Sequence, residues 1–170
     1  RRELWTLRSA EVLGASVRPG GTVTVRCEVE RWRGGRETHT LRLPVPEEFP
    51  DGRYVLWLGG GPELTRYESE RLPARYRPIS LDEAWRRMAE MRTSNRLYGA
   101  LIAKAPEVTA GGLDYPELPT SALAVLASGQ TAGDRSRRGD RVVSSEQRVE
   151  FDGPVRGELQ LEVTVDTKAR

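Results

Sequence analysis

Residues Thr22–Arg31 alternate without a slip. Val23, Val25, Cys27 and Val29 fall on one parity, and Thr22, Thr24, Arg26, Glu28 and Glu30 on the other. A period of two places every apolar side chain on one face of an extended chain, so the stretch suits a strand with one dry and one wet face. The pattern returns near the end of the chain, where Leu159, Leu161, Val163 and Val165 alternate with Glu158, Gln160, Glu162 and Thr164. Half-buried strands of this kind favour an antiparallel sheet.

Turn signals divide the first third. Pro19-Gly20-Gly21 ends a strand expected around Ala10–Val17, and Arg33-Gly34-Gly35 marks a hairpin. The return strand is Glu37–Val45, with His39, Leu41, Leu43 and Val45 on one parity; Phe49-Pro50-Asp51-Gly52 turns into a further strand, Arg53–Leu58. This spacing predicts an antiparallel β-sandwich, immunoglobulin-like in character, over residues 1–61. Trp57 has the opposite parity to Leu56 and Leu58, which sets it on the outer face of its sheet, where a second subdomain or a partner must cover it.

Gly59-Gly60-Gly61-Pro62 reads as a flexible break, and residues 62–78 as a linker holding a short exposed helix or irregular segment at Glu63–Arg71. An α+β portion over 79–170 follows. Ser80 and Glu83 have the spacing of a capping box, and Leu81, Trp85, Met88 and Met91 follow helical periodicity. The expectation is a capped amphipathic helix with that stripe turned to the core. Arg96–Ala103 is apolar at both parities, as in a strand covered on both sides. Leu118–Ser128 predicts a short buried helix, Thr131–Arg141 a surface loop, and Val142–Phe151 with Gly157–Val165 a closing β-hairpin about Asp152-Gly153-Pro154. That hairpin would pair with Arg96–Ala103 or complete the N-terminal sheet. The fold class is therefore mainly β with helices.

The composition excludes more chemistry than it suggests. Lys+Arg 27 against Asp+Glu 25 leaves a formal charge of +2, with signs interspersed, which does not describe a nucleic-acid footprint. One basic cluster, Arg135, Arg137, Arg138 and Arg141, is flanked by Asp134 and Asp140 and has no interleaved aromatic. His39 is the only histidine and Cys27 the only cysteine, so multi-histidine metal sites and an internal disulfide are both out of reach. The triple glycine lacks the Lys-Ser/Thr ending of a P-loop. No apolar run approaches the ~18–20 residues of a membrane span. The expectation is no catalytic residue, no metal and no cofactor. Residual alternatives are a hydrolase built on Ser121 or His39, and a peptide- or glycan-binding sandwich that uses Trp57, Arg96 and Tyr98 as its contact residues.

Two segments resemble a known family. Ile79–Ala103 followed by Tyr115–Leu126, preceded by the PGGTVTV stretch Pro19–Val25, is similar to the C-terminal region of bacterial SpoIVB-type serine peptidase-like proteins. Arg96-Leu97-Tyr98 stands at the R/N-x-L-Y strand of that region, and Leu118–Leu126 at its Leu-Pro turn and short helix. The resemblance implies a peptidase domain N-terminal to this segment, an exported or envelope-associated parent, and a non-catalytic accessory role here. Its implied partners are the parent's peptidase region or another envelope protein. The start at Arg1 without methionine fits an excised segment.

Overall fold

The computed structural model describes residues 3–71, 76, 78, 80–110, 113–116 and 137–169. Nine strands and two helices occur among them: β1 Trp5–Leu13, β2 Thr22–Arg31, β3 Arg36–Pro44, β4 Gly52–Gly60, α1 Gly61–Arg71, α2 Leu81–Ala89, β5 Arg96–Ala110, β6 Leu113–Pro116, β7 Arg137–Glu150, β8 Val155–Arg156 and β9 Glu158–Val165. The expected helix at 118–128, Ser121 within it, and the loop residues 131–136 lie outside the described residues. The chain clusters into two compact units: 1–65 with 92–103 and 143–170, and 66–91 with 104–142. Both units draw on separated pieces of sequence, unlike a linear division at 61 and 79. α1 occupies most of the first part of the stretch expected to be linker.

The first unit is built on two sheets. One has the order β3-β2-β1-β8, and the other carries β9, β4 and β5 side by side. Val23, Val25, Cys27 and Val29 of β2, Leu41 and Leu43 of β3, Leu56 and Leu58 of β4, Leu97 and Leu101 of β5, and Val163 and Val165 of β9 join one hydrophobic cluster. The period-two reading of β2 and β9 is thus realised as a shared core. β5 is covered on both sides, since Tyr98, Ala100 and Ile102, of the other parity, are also buried.

β1 begins five residues earlier than the expected Ala10. Its register against β2 shifts between Leu7 and Ser9, so the inward set changes from odd (Trp5, Leu7) to even (Ala10, Val12). A bulge of this kind destroys the alternation by which a strand is recognised. The closing hairpin does not form. Its two strands separate and take one each of the two expected destinations: β7 pairs with β5, which starts at Arg96, and β9 lies antiparallel to β4 of the N-terminal stretch, with Leu58 opposite Leu159. The connection between β7 and β9 is held by other segments: Phe151 N–H donates to the Asn95 carbonyl at 2.9 Å, Val155 N–H to that of Ser94 at 2.8 Å, and β8 runs parallel to β1. Trp5 Nε1 donates to Asp152 Oδ1 at 2.6 Å. With its polar groups committed there, residues 151–157 cannot turn β7 back onto β9.

In the second unit, β6 pairs antiparallel with the far end of β5, Val108 opposite Tyr115. α1 is more buried than an exposed helix would be, with Tyr67 8% and Glu68 3% accessible. The Tyr76 hydroxyl donates to Glu68 Oε2 at 2.8 Å, which satisfies one oxygen of that buried carboxylate.

The glycine tract is packed rather than flexible. Gly59, Gly60 and Gly61 are all buried, at the junction of β4 and α1. A Cβ on Gly60 would meet the Val155 carbonyl oxygen, and one on Gly61 the Thr93 carbonyl oxygen. Backbone cannot yield as a side-chain end can, so Gly60→Ala is expected to lower stability by about 3 kcal/mol in chemical denaturation. At the β2–β3 turn Arg33 has φ +58°, the only positive φ at a non-glycine among the described residues. The left-handed conformation costs a side chain ~1–2 kcal/mol, so Arg33→Gly is expected to raise stability by about 0.5–1 kcal/mol after the added freedom of the unfolded chain.

Candidate interaction surface

α2 starts as its sequence predicts. Ser80 is extended (φ −140°, ψ 161°), and its hydroxyl accepts from Glu83 N–H at 3.1 Å, closing the first turn. Asp82 and Glu83 lie in that turn and Arg86 and Arg87 in the last, each favourable toward the helix dipole. Glu90 caps the other end.

The orientation of the helix overturns the expectation. Leu81 is 74% exposed, Trp85 63%, Met88 59% and, just beyond the helix, Met91 60%. The buried side is polar: Glu83 is 4% exposed. Arg87, with a side chain 16% exposed, stands 3.9 Å from Glu83 and 3.5 Å from Glu90. The apolar stripe that should have sealed a core is thus the surface of α2. Leu81, Trp85 and Met88 stand at i, i+4 and i+7, the spacing with which a helix fills an apolar groove. A Trp centred between flexible Leu and Met side chains is the composition of a contact surface.

Of the contact residues expected from sequence, Trp57 (0%) and Tyr98 (2%) are buried and only Arg96 reaches solvent. Trp57 lies opposite Ala100 in the β4–β5 pair, on the outer face as its parity indicates, and is fully covered. The Tyr98 hydroxyl accepts from Thr93 N–H at 3.1 Å, and the Arg92 guanidinium lies over the Tyr98 ring, 5.9 Å from its centroid. Arg92 donates from Nε and Nη2 to Glu146 Oε2 at 3.0 and 2.7 Å, and Arg96 from the same two atoms to Glu150 Oε2 at 3.2 and 3.0 Å. The hydrogen bond to Glu150 holds the Arg96 pKa above its ordinary value. These pairs join β7 to the entry of β5, which is a structural task. In the basic cluster, the backbone of Arg137, Arg138 and Arg141 belongs to β7 rather than to a loop, and Arg135 lies outside the described residues.

The topology also makes a juxtaposition that sequence spacing hides. Cys27 and His39 are direct partners across β2 and β3, so a thiol and an imidazole share one face. The environment disarms them. Cys27 is fully buried, and burial pushes its thiol from an ordinary 9.0 up to about 11, away from the thiolate that a nucleophile requires. His39 Nε2 is 3.2 Å from Glu37 Oε2, and its ring stands edge-on to Phe151 with centroids 5.0 Å apart. Among the described residues no three His, Cys, Asp or Glu side chains are grouped to hold a metal ion, and no helix is long and apolar enough to cross a membrane.

The thiol has a pH signature. A folded-state pKa raised above the unfolded one leaves stability intact below pH 9 and removes it as pH rises toward about 11. The denaturation midpoint is therefore expected to fall over that window in the parent chain and to fall less in Cys27→Val. Thiol reagents at pH 8 are expected to label Cys27 only after unfolding. Against protein-family models, curated proteins and solved structures alike, the chain finds no match.

Proposed function

We propose that this chain is a non-catalytic interaction module, with the Leu81–Trp85–Met88–Met91 stripe of α2 as its contact surface and a protein offering an apolar groove as its partner. The observation that carries the reading is the inversion of α2, which leaves four large apolar side chains at 59–74% exposure while Glu83 is buried. Monomeric surfaces rarely expose contiguous apolar area without a use for it. The burial of Cys27 and the tie between His39 and Glu37 support a role outside catalysis. The scaffold fits an immunoglobulin-like sandwich, in which two sheets share one core. The resemblance to SpoIVB-type regions adds the identity of the partner: the peptidase region of a longer, exported bacterial protein, or another envelope component.

The test is capture of the partner by the parent chain and by Trp85→Ala. An exposed side chain changes stability by within about 0.5 kcal/mol, so the melting temperature should hold. A central tryptophan carries ~2 kcal/mol or more of binding, so affinity should fall about 30-fold. Crosslinking that finds neither the peptidase region nor an envelope component, or binding undiminished in Trp85→Ala, would remove the proposal.

A further inference from the structure

A second exposed aromatic stands in the first unit, at the end of the β2–β3 hairpin. Trp32 is 67% exposed, and its neighbour Arg33 is exposed in the left-handed conformation. The turn is closed by backbone bonds: Gly34 N–H donates to the Arg31 carbonyl at 2.9 Å, Arg31 N–H to that of Gly35 at 3.1 Å, and Trp32 N–H to that of Leu4 at 2.8 Å. The Arg31, Trp32 and Gly34 amides are thus paired, and the Trp32 and Arg33 side chains stand clear of them.

Charge at the tip is uncompensated, while four arginines on the strands leading to it and beside it are paired. Arg8 pairs with Glu30, Arg26 with Glu11, Arg31 with Glu3 and Arg36 with Glu28. Arg33 has no carboxylate within ion-pair distance among the described residues, and the carboxylates nearest in sequence, Glu30 and Glu37, already meet Arg8 and His39. A turn with positive φ at its third residue takes glycine most readily, and glycines wait one and two positions later. The chain instead holds an arginine there, in a conformation that costs stability. Local strain that folding does not require points to use of the side chain it displays.

We propose that the Trp32–Arg33 tip seats the protein on an anionic lipid surface. An indole has an apolar body and a polar edge, which is why tryptophan settles at headgroup level. A guanidinium takes lipid phosphate through paired hydrogen bonds and gains from the negative surface potential. A closed hairpin end can rest at the hydrated headgroup layer, where water still meets the backbone groups that the turn leaves free. One ring and one guanidinium confer weak attachment, suited to orienting a protein rather than anchoring it. This inference is independent of the α2 surface.

The test is flotation of the whole chain with vesicles of phosphatidylglycerol and phosphatidylcholine in equal parts, at low salt, against vesicles of phosphatidylcholine alone. The parent should partition onto the anionic vesicles and be released by salt. Arg33→Gly should weaken partitioning about fivefold, the worth of one arginine near such a surface, while the fold becomes more stable. Trp32→Ala should reduce it at least as far, and Trp85→Ala should leave it unchanged. Because Arg33→Gly eases the turn, a loss there cannot be assigned to misfolding. No partitioning, equal partitioning onto neutral vesicles, indifference to both tip variants, or loss confined to Trp85→Ala would overturn the proposal. Competition by millimolar glycerol phosphate would also overturn it, as it would mark a free-anion site instead of a surface.

Discussion

β4 is the strand on which the first unit depends. It buries Leu56, Trp57 and Leu58 in succession, each fully, so both of its faces are dry from Leu56 to Gly60, and it pairs with β5 on one edge and β9 on the other. A strand with both faces and both edges committed cannot slip: one residue of shift would exchange Trp57 with its leucine neighbours, and each set fits only its own side. The packed glycines continue this constraint. They let β4 approach the Val155 carbonyl and pass into α1 without a gap. The junction at 59–61 is close-packed for the same reason that its sequence suggests a flexible break, since residues without a side chain suit close approach as well as turning.

What could be read from the sequence follows from how local each determinant is. The bounds of β2, the Ser80 cap and the double-sided burial of β5 were legible because each depends on residues within a few positions. The start of β1 was hidden by a bulge that changes inward parity between Leu7 and Ser9. The false closing hairpin arose because β7 and β9 carry turn residues between them and each resembles a strand. Both destinations, β5 and β4, are open to either strand, and neither strand's own alternation says that the two will part to take one each. The meeting of Cys27 and His39 is hidden in the same way, since it depends on the register of β2 with β3.

That meeting also shows why residue type is a weak guide to chemistry. A thiol and an imidazole on one face supply the components of a nucleophilic pair, and burial decides against it. The medium that stabilises Cys27 as a small apolar side chain also disfavours its thiolate. The carboxylate that the imidazole meets is Glu37, two residues away on its own strand, so His39 is held along the edge of the sheet.

The inversion of α2 differs in kind, because the helical pattern is present in the structure and faces away from the core. Helical periodicity in Leu81, Trp85, Met88 and Met91 states that the stripe is to be covered; it does not say by what. Burial of Glu83 and Arg87 on the opposite side would be unfavourable as a way of sealing a core, since charges removed from water recover little of their hydration even when paired. It is intelligible where that side is held by polar contacts and the apolar side is reserved for another surface. Amphipathicity in a sequence therefore records the sum of a protein's contacts, its own and those with other molecules, and only the exposure of the stripe separates the two. On α2 the stripe is exposed, so its periodicity is not accounted for by the core of the described residues, and it is on that exposure that the proposed contact rests.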